Sequence, residues 1–367
     1  ALNVALSLHA NTPITDLSDI LVFLTGQDEI DRCCKTIRER LSSNELQNIE
    51  PLPLYSALRT EEQTRIFLPA PVGHRKIIFA TNIAETSLTI NTVRYVVDSG
   101  FMKMKFYDPD TGCDSLRVVP ISVSSAEQRA GRAGRVADGH CVRLYTRQFF
   151  ENEMRGTNKP ELLRTNFSDT LLGLLAIGIE TVVDFDFVTS PPVRFVSAAI
   201  EQLFSLGAID ANGQMTILGK QMADLPVSSY AAKVILKSFA LGCAKSVISI
   251  ISVLEAGSPL YSSQQKSKVF ESPLGDHFTI LNIVKAFKRD GFSRNFCIDH
   301  GLQFRTLHKA RDIALQILDI CKLHGYSQTG KSVNDNIGKA FAYGFAKNTA
   351  VLLENGSYRT IFGNIEV

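Results

Sequence analysis

The chain has 367 residues, 45% of them apolar and 21% charged, ordinary values for a globular protein with a packed core. Its formal net charge is only +2, so any electrostatic footprint for a polyanion must be local. No apolar run reaches the ~18 residues of a membrane span, and the seven cysteines form no C-x-x-C pair, which favours reduced thiols in an intracellular protein and gives no metal site.

The opening residues, "ALNVALSLHAN", carry neither a basic start nor a small-residue cleavage site, so they do not read as a signal peptide. Without an initiator Met the sequence is expected to begin inside a longer protein. From residue 20 two periods alternate. "ILVFL" (20–24) is a continuous apolar, β-rich run, and "GQDEIDRCCKTIRERL" follows with Ile30, Cys33, Cys34, Ile37 and Leu41 on one helical face. "PLPLYS", a helical "TEEQTRIFL", "KIIFA" (76–80) and "VRYVVDSG" (93–100) continue the series. Short buried strands separated by helices predict a parallel sheet covered on both sides.

"FMKMKFYDPDTGCDSLRVVPIS" (101–122) places two extended arms around the turn sequence "DPDTG", and so predicts a β-hairpin. "SSAEQRAGRAGR" then opens a helix, with Ser124 and Glu127 spaced as a capping box. "HCVRLYT" is the last strand of a first domain expected over 1–147. Residues 148–227 hold amphipathic helices and a small hairpin around Asn212–Gly213, the pattern of a winged helix. Residues 228–335 read as a helical bundle, and 336–367 turn to strand, too few to build a sheet domain alone. Asp276–His277 reads as a helix N-cap followed by a packed His rather than a catalytic pair.

"GYSQTGKS" (325–332) fits the phosphate-loop pattern at every position, with Lys331 and Ser332 as its phosphate-facing residues. Such a loop needs a buried strand before it. Here "RDIALQILDICKLHG" precedes it with helical spacing, so Gly325 reads as a helix C-cap and the match as a polar loop.

Three other stretches carry chemistry. In "QRAGRAGR" (128–135), Arg129, Arg132 and Arg135 recur every three residues, and on a helix they would form one tilted stripe suited to clamping a transferring phosphate. In "ATNIAETSLTI" (80–90), hydroxyls and carboxamides crowd the end of a strand, where open α/β sheets bind ligands; a locally capped short helix is the alternative. "LTGQDEI" (24–30) is again a strand end, with Gly26 and Gln27 at the turn.

Together and in this order these stretches resemble motifs IV, V and VI of the superfamily 2 helicases, and the DEAH-box RNA helicases in particular. "AIEQLFSLGAIDANGQMTILGKQMADLP" resembles that family's winged helix, "GDHFTILNIVKAFK" its ratchet bundle, and the last strands the start of its OB-fold. The resemblance implies an α/β RecA-like parallel-sheet domain, then a winged helix and an α-helical ratchet (helicase-associated) bundle, ending in a truncated OB-fold. The family's first RecA-like domain, with the true phosphate loop and the DEAH box, would lie upstream.

The resemblance also implies roles. Gln128, Arg132 and Arg135 would meet the nucleotide phosphates with Arg129 beside them, Phe67 would stack on the adenine, and Ser87 and Thr89 would face the ribose. Asn91 stands where the family usually has Asp, which keeps an acceptor and loses a charge. Thr25, Gly26, Gln27, Thr81 and Asn82 would hold RNA phosphates, with Lys103 and Lys105 near the hairpin root. The alternatives are a core position for Phe67 and a solvated strand face for the two lysines. ATP and Mg²⁺ would be shared with the upstream domain. RNA, a G-patch activator and a spliceosomal or ribosome-assembly complex are the implied partners, no membrane is among them, and the nucleus, nucleolus or cytoplasm is the implied compartment. The function expected is ATP-driven RNA translocation, unwinding or remodelling. A non-catalytic fragment that binds RNA or a G-patch protein is the rival, and an NTPase built on Lys331 a third.

Overall fold

The computed structural model describes residues 1–15, 18–58, 60–86, 89–136, 138–179, 181–260, 268–327 and 335–366. The chain forms two compact units, one of Ala1–Phe106 with Asp114–Arg164, the other of Tyr107–Cys113 with Thr165–Val367.

The first unit is built on a parallel sheet of β1 (Asp19–Phe23), β2 (Ile49–Leu54), β3 (Arg75–Ala80), β4 (Val93–Asp98) and β7 (His140–Arg143), in the order β2-β3-β1-β4-β7. Every residue of β1 and β3 is buried, as expected of strands covered on both faces. The register pairs Ile20 with Ile77 and Phe23 with Ala80 on one side of β1, and Phe23 with Asp98 on the other. Alternate side chains divide between two cores. On one face Ile20, Val22, Ile77 and Phe79 meet Ile30, Cys34 and Ile37 of α2 (Gln27–Ser42) and Ala5 of α1 (Leu2–Asn11). On the other, Leu21, Phe23, Ile78 and Val96 meet Ile66, Ile90 and Ala133, together with Ala84 of the single-turn α4 (Ile83–Thr86). Burial of each Leu, Ile or Phe here contributes about 1.5–3 kcal/mol.

β5 (Phe101–Asp108) and β6 (Cys113–Pro120) form the expected hairpin. Its turn closes through Gly112 N–H on the Asp108 carbonyl at 2.8 Å, with φ +69° at Gly112, a conformation that favours glycine. The base of the hairpin belongs to the first unit and its tip to the second.

Several local expectations are corrected. The helix after the hairpin, α5 (Val123–Ala130), is capped by Ser122, whose hydroxyl accepts from Ser125 N–H, rather than by Ser124. It stops at Gly131, so residues 131–136 are turns and the three arginines do not share a helical stripe. α3 (Thr60–Arg65) ends before Phe67. The first unit continues past 147 to Arg164 because α6 (Arg147–Asn152) and the chain after it pack back. Phe149 and Phe150 join the Met102–Ile121 core, and Val123 and Ser124 donate their N–H groups to the carbonyls of Arg155 and Gly156.

In the second unit α7 (Ser168–Ala176), α8 (Val193–Leu206) and α9 (Ile217–Ala223) surround a minimal wing, a lone antiparallel bridge between Ile209 and Met215 with Gly213 at φ +79°. α10 (Ser229–Ala240), α11 (Ala244–Ala256), α12 (Asp276–Arg289), α13 (Arg294–Asp299), α14 (Phe304–Leu323) and α15 (Asp335–Gly344) make the bundle. His277 is exposed, with its ring 4.4 Å from that of Phe341, and the cap before it is Gly275 rather than Asp276. A two-stranded antiparallel ribbon, β8 (Ala350–Leu352) with β9 (Tyr358–Thr360), ends the chain.

α14 also decides the phosphate-loop match, because a 20-residue helix and not a strand precedes it. Gly325 lies past its end at φ +75°. Tyr326 N–H reaches the Cys321 carbonyl and Gly325 N–H that of Lys322, both at 2.9 Å, a Schellman helix stop. Lys331 and Ser332 lie outside the described residues.

Candidate nucleotide and RNA site

The loops after β1 and β3 leave the sheet side by side. Leu24 N–H donates to the Ala80 carbonyl at 2.8 Å and Thr81 N–H to that of Leu54 at 3.1 Å. This brings Thr25, Gly26 and Gln27 to the same carboxyl edge as Thr81 and Asn82, where α/β sheets take ligands. Thr81 and Asn82 turn directly into α4 through their carbonyls, which accept from Ala84 and Glu85 N–H. Gly26 is backed by Lys103: a Cβ at Gly26 would stand 2.9 Å from the Lys103 ammonium. The missing side chain therefore lets the lysine lie across the loop.

Two of the expected donors are already engaged. The Thr25 hydroxyl and N–H both donate to Glu29 Oε2, at 2.8 and 3.1 Å, and the Gln27 carboxamide donates to Asp31 at 3.2 Å. Lys105 pairs with Asp114 across the hairpin at 2.8 Å. Of the two hairpin lysines, only Lys103 joins the strand-end loops.

Arg129 corrects an expectation. Its side chain is fully buried, so it cannot touch a nucleotide. Nε reaches Glu85 Oε1 at 2.8 Å, and Nη1 reaches Asp98 Oδ1 at 2.8 Å and the Phe101 carbonyl at 3.2 Å. The guanidinium also lies 4.7 Å from the Phe23 ring centre. Asp98 further accepts from Gly100 N–H and from the Tyr145 hydroxyl, at 2.9 and 2.8 Å. Burial pushes the Glu85 carboxyl above the usual range, and Arg129 opposes that rise. This knot of Glu85, Asp98, Arg129 and Tyr145 was missed in the sequence; the one signal was an Asp closing the apolar run "VRYVVD".

Arg132 and Arg135 have the opposite placement. Ala133 between them anchors the turn in the core, and the two arginines line a small crevice with Leu21, Ala84, Ile90 and Val93. Arg135 Nη1 contacts the Thr89 hydroxyl. Burial, and next the Arg135 charge, pull the Arg132 guanidinium below its usual value. Two cations this close raise each other's energy, and an anion between them offsets it. Gln128 is exposed on the last turn of α5, and Asn91 is exposed just beyond Thr89. Ser87 lies outside the described residues. Phe67 is 50% exposed while Ile66 beside it is fully buried, which removes the core alternative for that ring.

Among the described residues no three His, Cys, Asp or Glu come together as a metal site, and no helix is long and apolar enough to cross a membrane.

Residues 11–137 match the helicase conserved C-terminal domain. Residues 199–227 match the winged helix of the helicase-associated domain HA2, and 228–280 its ratchet-like part. The pre-mRNA-splicing factor ATP-dependent RNA helicase prp22 of Schizosaccharomyces pombe is 41% identical over 361 residues, 95% of this chain and 31% of that protein. The crystal structure of the E. coli DExH-box NTPase HrpB superposes with a TM-score of 0.71 at 28% identity, over 98% of this chain and 38% of that one. The chain thus spans about a third of the length of these relatives. It belongs to the DEAH-box helicases of superfamily 2, as their C-terminal part: the helicase C-terminal domain, the HA2 winged helix and the HA2 ratchet.

Proposed function

We propose that this chain supplies one wall of the nucleotide cleft and one side of the RNA path in an ATP-dependent RNA helicase that remodels RNA–protein assemblies. The observation that carries the reading is the pairing of Arg132 with Arg135 beside Thr89, in the unit whose strand ends gather Gly26, Thr81, Asn82 and Lys103. Bound ATP supplies the phosphoanhydride whose hydrolysis drives the cycle. Arg132 and Arg135 neutralise charge that builds on the transferring phosphoryl group, with Gln128 orienting beside them, a service worth about 10³–10⁵ in rate where an arginine is supplied in trans. Phe67 stacks on the base, and Thr89 and Asn91 face the sugar. Mg²⁺ would be held with the triphosphate by the upstream domain that the family likeness implies. Thr81 and Asn82 hold RNA by its backbone, a grip that carries no sequence information. The Thr25 and Gln27 side chains serve that grip only after leaving Glu29 and Asp31.

Likeness to a splicing factor over 95% of the chain supports a spliceosomal RNA–protein complex as partner and the nucleus as compartment. It also favours the catalytic reading over a binding-only fragment. An activator of the G-patch kind belongs to the same reading. The test is Arg135→Ala in the full-length protein. RNA-stimulated ATP hydrolysis should fall by about 10³ or more with RNA affinity within twofold of wild type. Unchanged turnover would sink the assignment.

A further inference from the structure

Lys76 is the second residue of β3 and is 1% exposed. A buried lysine is tolerated only where its charge is paired and its donors are used. Its ammonium donates to two backbone carbonyls, those of Ile66 and Leu68, each at 2.9 Å. Its charge is paired with Asp19 Oδ2 at 3.2 Å. Asp19 is held in turn, because its Oδ1 accepts from Lys76 N–H at 2.9 Å.

Those two carbonyls flank Phe67. α3 has six residues, too few to be stable by itself. The turn after it is otherwise closed by Phe67 N–H on Thr64 and Leu68 N–H on Arg65, at 3.1 and 3.2 Å. Ile66 goes fully into the core and Phe67 stays 50% exposed. One buried cation thus grips the chain before and after an outward-facing ring.

We propose that Lys76, seated on Asp19, is a positioning residue for Phe67: it holds the ring ready as a stacking platform for the nucleotide base. The inference rests on the base-platform role given to Phe67 above. Lys76 touches no nucleotide and acts only through the backbone. Ordering a side chain before binding spares its entropy at binding, worth roughly two- to tenfold in affinity. The effect therefore falls on nucleotide KM and leaves kcat alone.

The test uses the full-length helicase with saturating RNA. KM and kcat for ATP are measured for Lys76→Met and for Lys76→Met/Asp19→Asn, which removes the stranded carboxylate charge and keeps the variant folded. Each is repeated on a Phe67→Ala background, with inorganic tripolyphosphate as a competitor that has no base. The proposal expects a roughly two- to tenfold rise in KM, kcat within twofold, an unchanged inhibition constant for tripolyphosphate, and no further rise once Phe67 is alanine. An unchanged KM in the doubly substituted protein overturns it, as does an equal rise on both backgrounds. If Phe67→Ala by itself leaves KM unchanged, the platform role fails first and takes this inference with it. If Phe67→Ala raises KM and the Lys76 variants do not, only the inference about Lys76 fails.

Discussion

Arg129→Met tests the buried knot beneath the proposed nucleotide face. The substitution keeps the aliphatic stem and removes a cation that serves two carboxylates, Glu85 at 6% exposure and Asp98 at 0%. Asp98 retains the Gly100 N–H and the Tyr145 hydroxyl, so Glu85 loses more. Stranding a buried charge by deleting its partner costs about 3–5 kcal/mol. A unit of this size loses roughly 2–4 °C per kcal/mol, so its unfolding midpoint should drop by about 6–20 °C. The pH dependence carries a sign. Glu85 already sits above the 4.5 of a free carboxyl because it is buried, and without Arg129 it rises further. Between 4.5 and that raised value the folded state holds a proton that the unfolded state has released, so stability falls as pH rises through the window. The deficit of the variant should therefore be small near pH 4.5 and full above the window. The assay is thermal unfolding by circular dichroism across that range, with Arg129→Met/Glu85→Gln recovering part of the loss at neutral pH. A deficit below about 1 kcal/mol, or one equal at every pH, would refute the reasoning.

Three further outcomes follow from the same contacts. In Gly139→Ala the new Cβ would overlap the backbone carbonyl of Ala133; the expected cost is about 1–3 kcal/mol, with ATPase activity lost along with the position of Arg132 and Arg135. Lys103→Ala should weaken binding of single-stranded RNA and reduce the slope of log affinity against log salt by about 0.7, the value of one phosphate contact; an unchanged slope removes Lys103 from the RNA path. Spin labels at Ser124 and Ser115 should keep one separation with and without nucleotide, whereas a shift of several ångströms would show that the hairpin moves independently of α5.

The sheet was legible because β1 and β3 are buried on both faces and read as unbroken apolar runs, and the hairpin because "DPDTG" closes it. Gly325 was legible as a helix stop because α14 keeps its apolar spacing up to it. The arginines were legible as a group but not one by one. Spacing by three suggests a shared stripe only if the helix persists, and α5 ends at Gly131. Which arginine turns inward depends on two carboxylates, 44 and 31 residues earlier in the chain. No local pattern marks Glu85 as a core residue, since an acid after "TNIA" fits a capped surface turn equally well. Lys76 was hidden for the same reason: its acceptors are backbone carbonyls, which every residue offers. Thr25 looked like a phosphate donor until Glu29, one helical turn on, claimed its hydroxyl.

The inward turn of Arg129 has a mechanical consequence. Arg135 reaches Thr89, and Ala133 anchors the same turn in the sheet core. Six residues before Arg135, Arg129 holds Asp98 at the end of β4 and the Phe101 carbonyl at the start of β5. Two residues further along β5, Lys103 lies over Gly26. The cations proposed to meet phosphate and the lysine proposed to meet RNA are thus linked by short segments through one buried ion cluster. Sliding one past the other would break hydrogen-bonded charges in a low-dielectric core, a far larger cost than moving an exposed loop. Coupling between two sites needs an element with two arrangements, and a fully buried, hydrogen-bonded ion cluster opposes a second one. On the roles proposed for them, Arg132, Arg135 and Lys103 would therefore move together as parts of one unit.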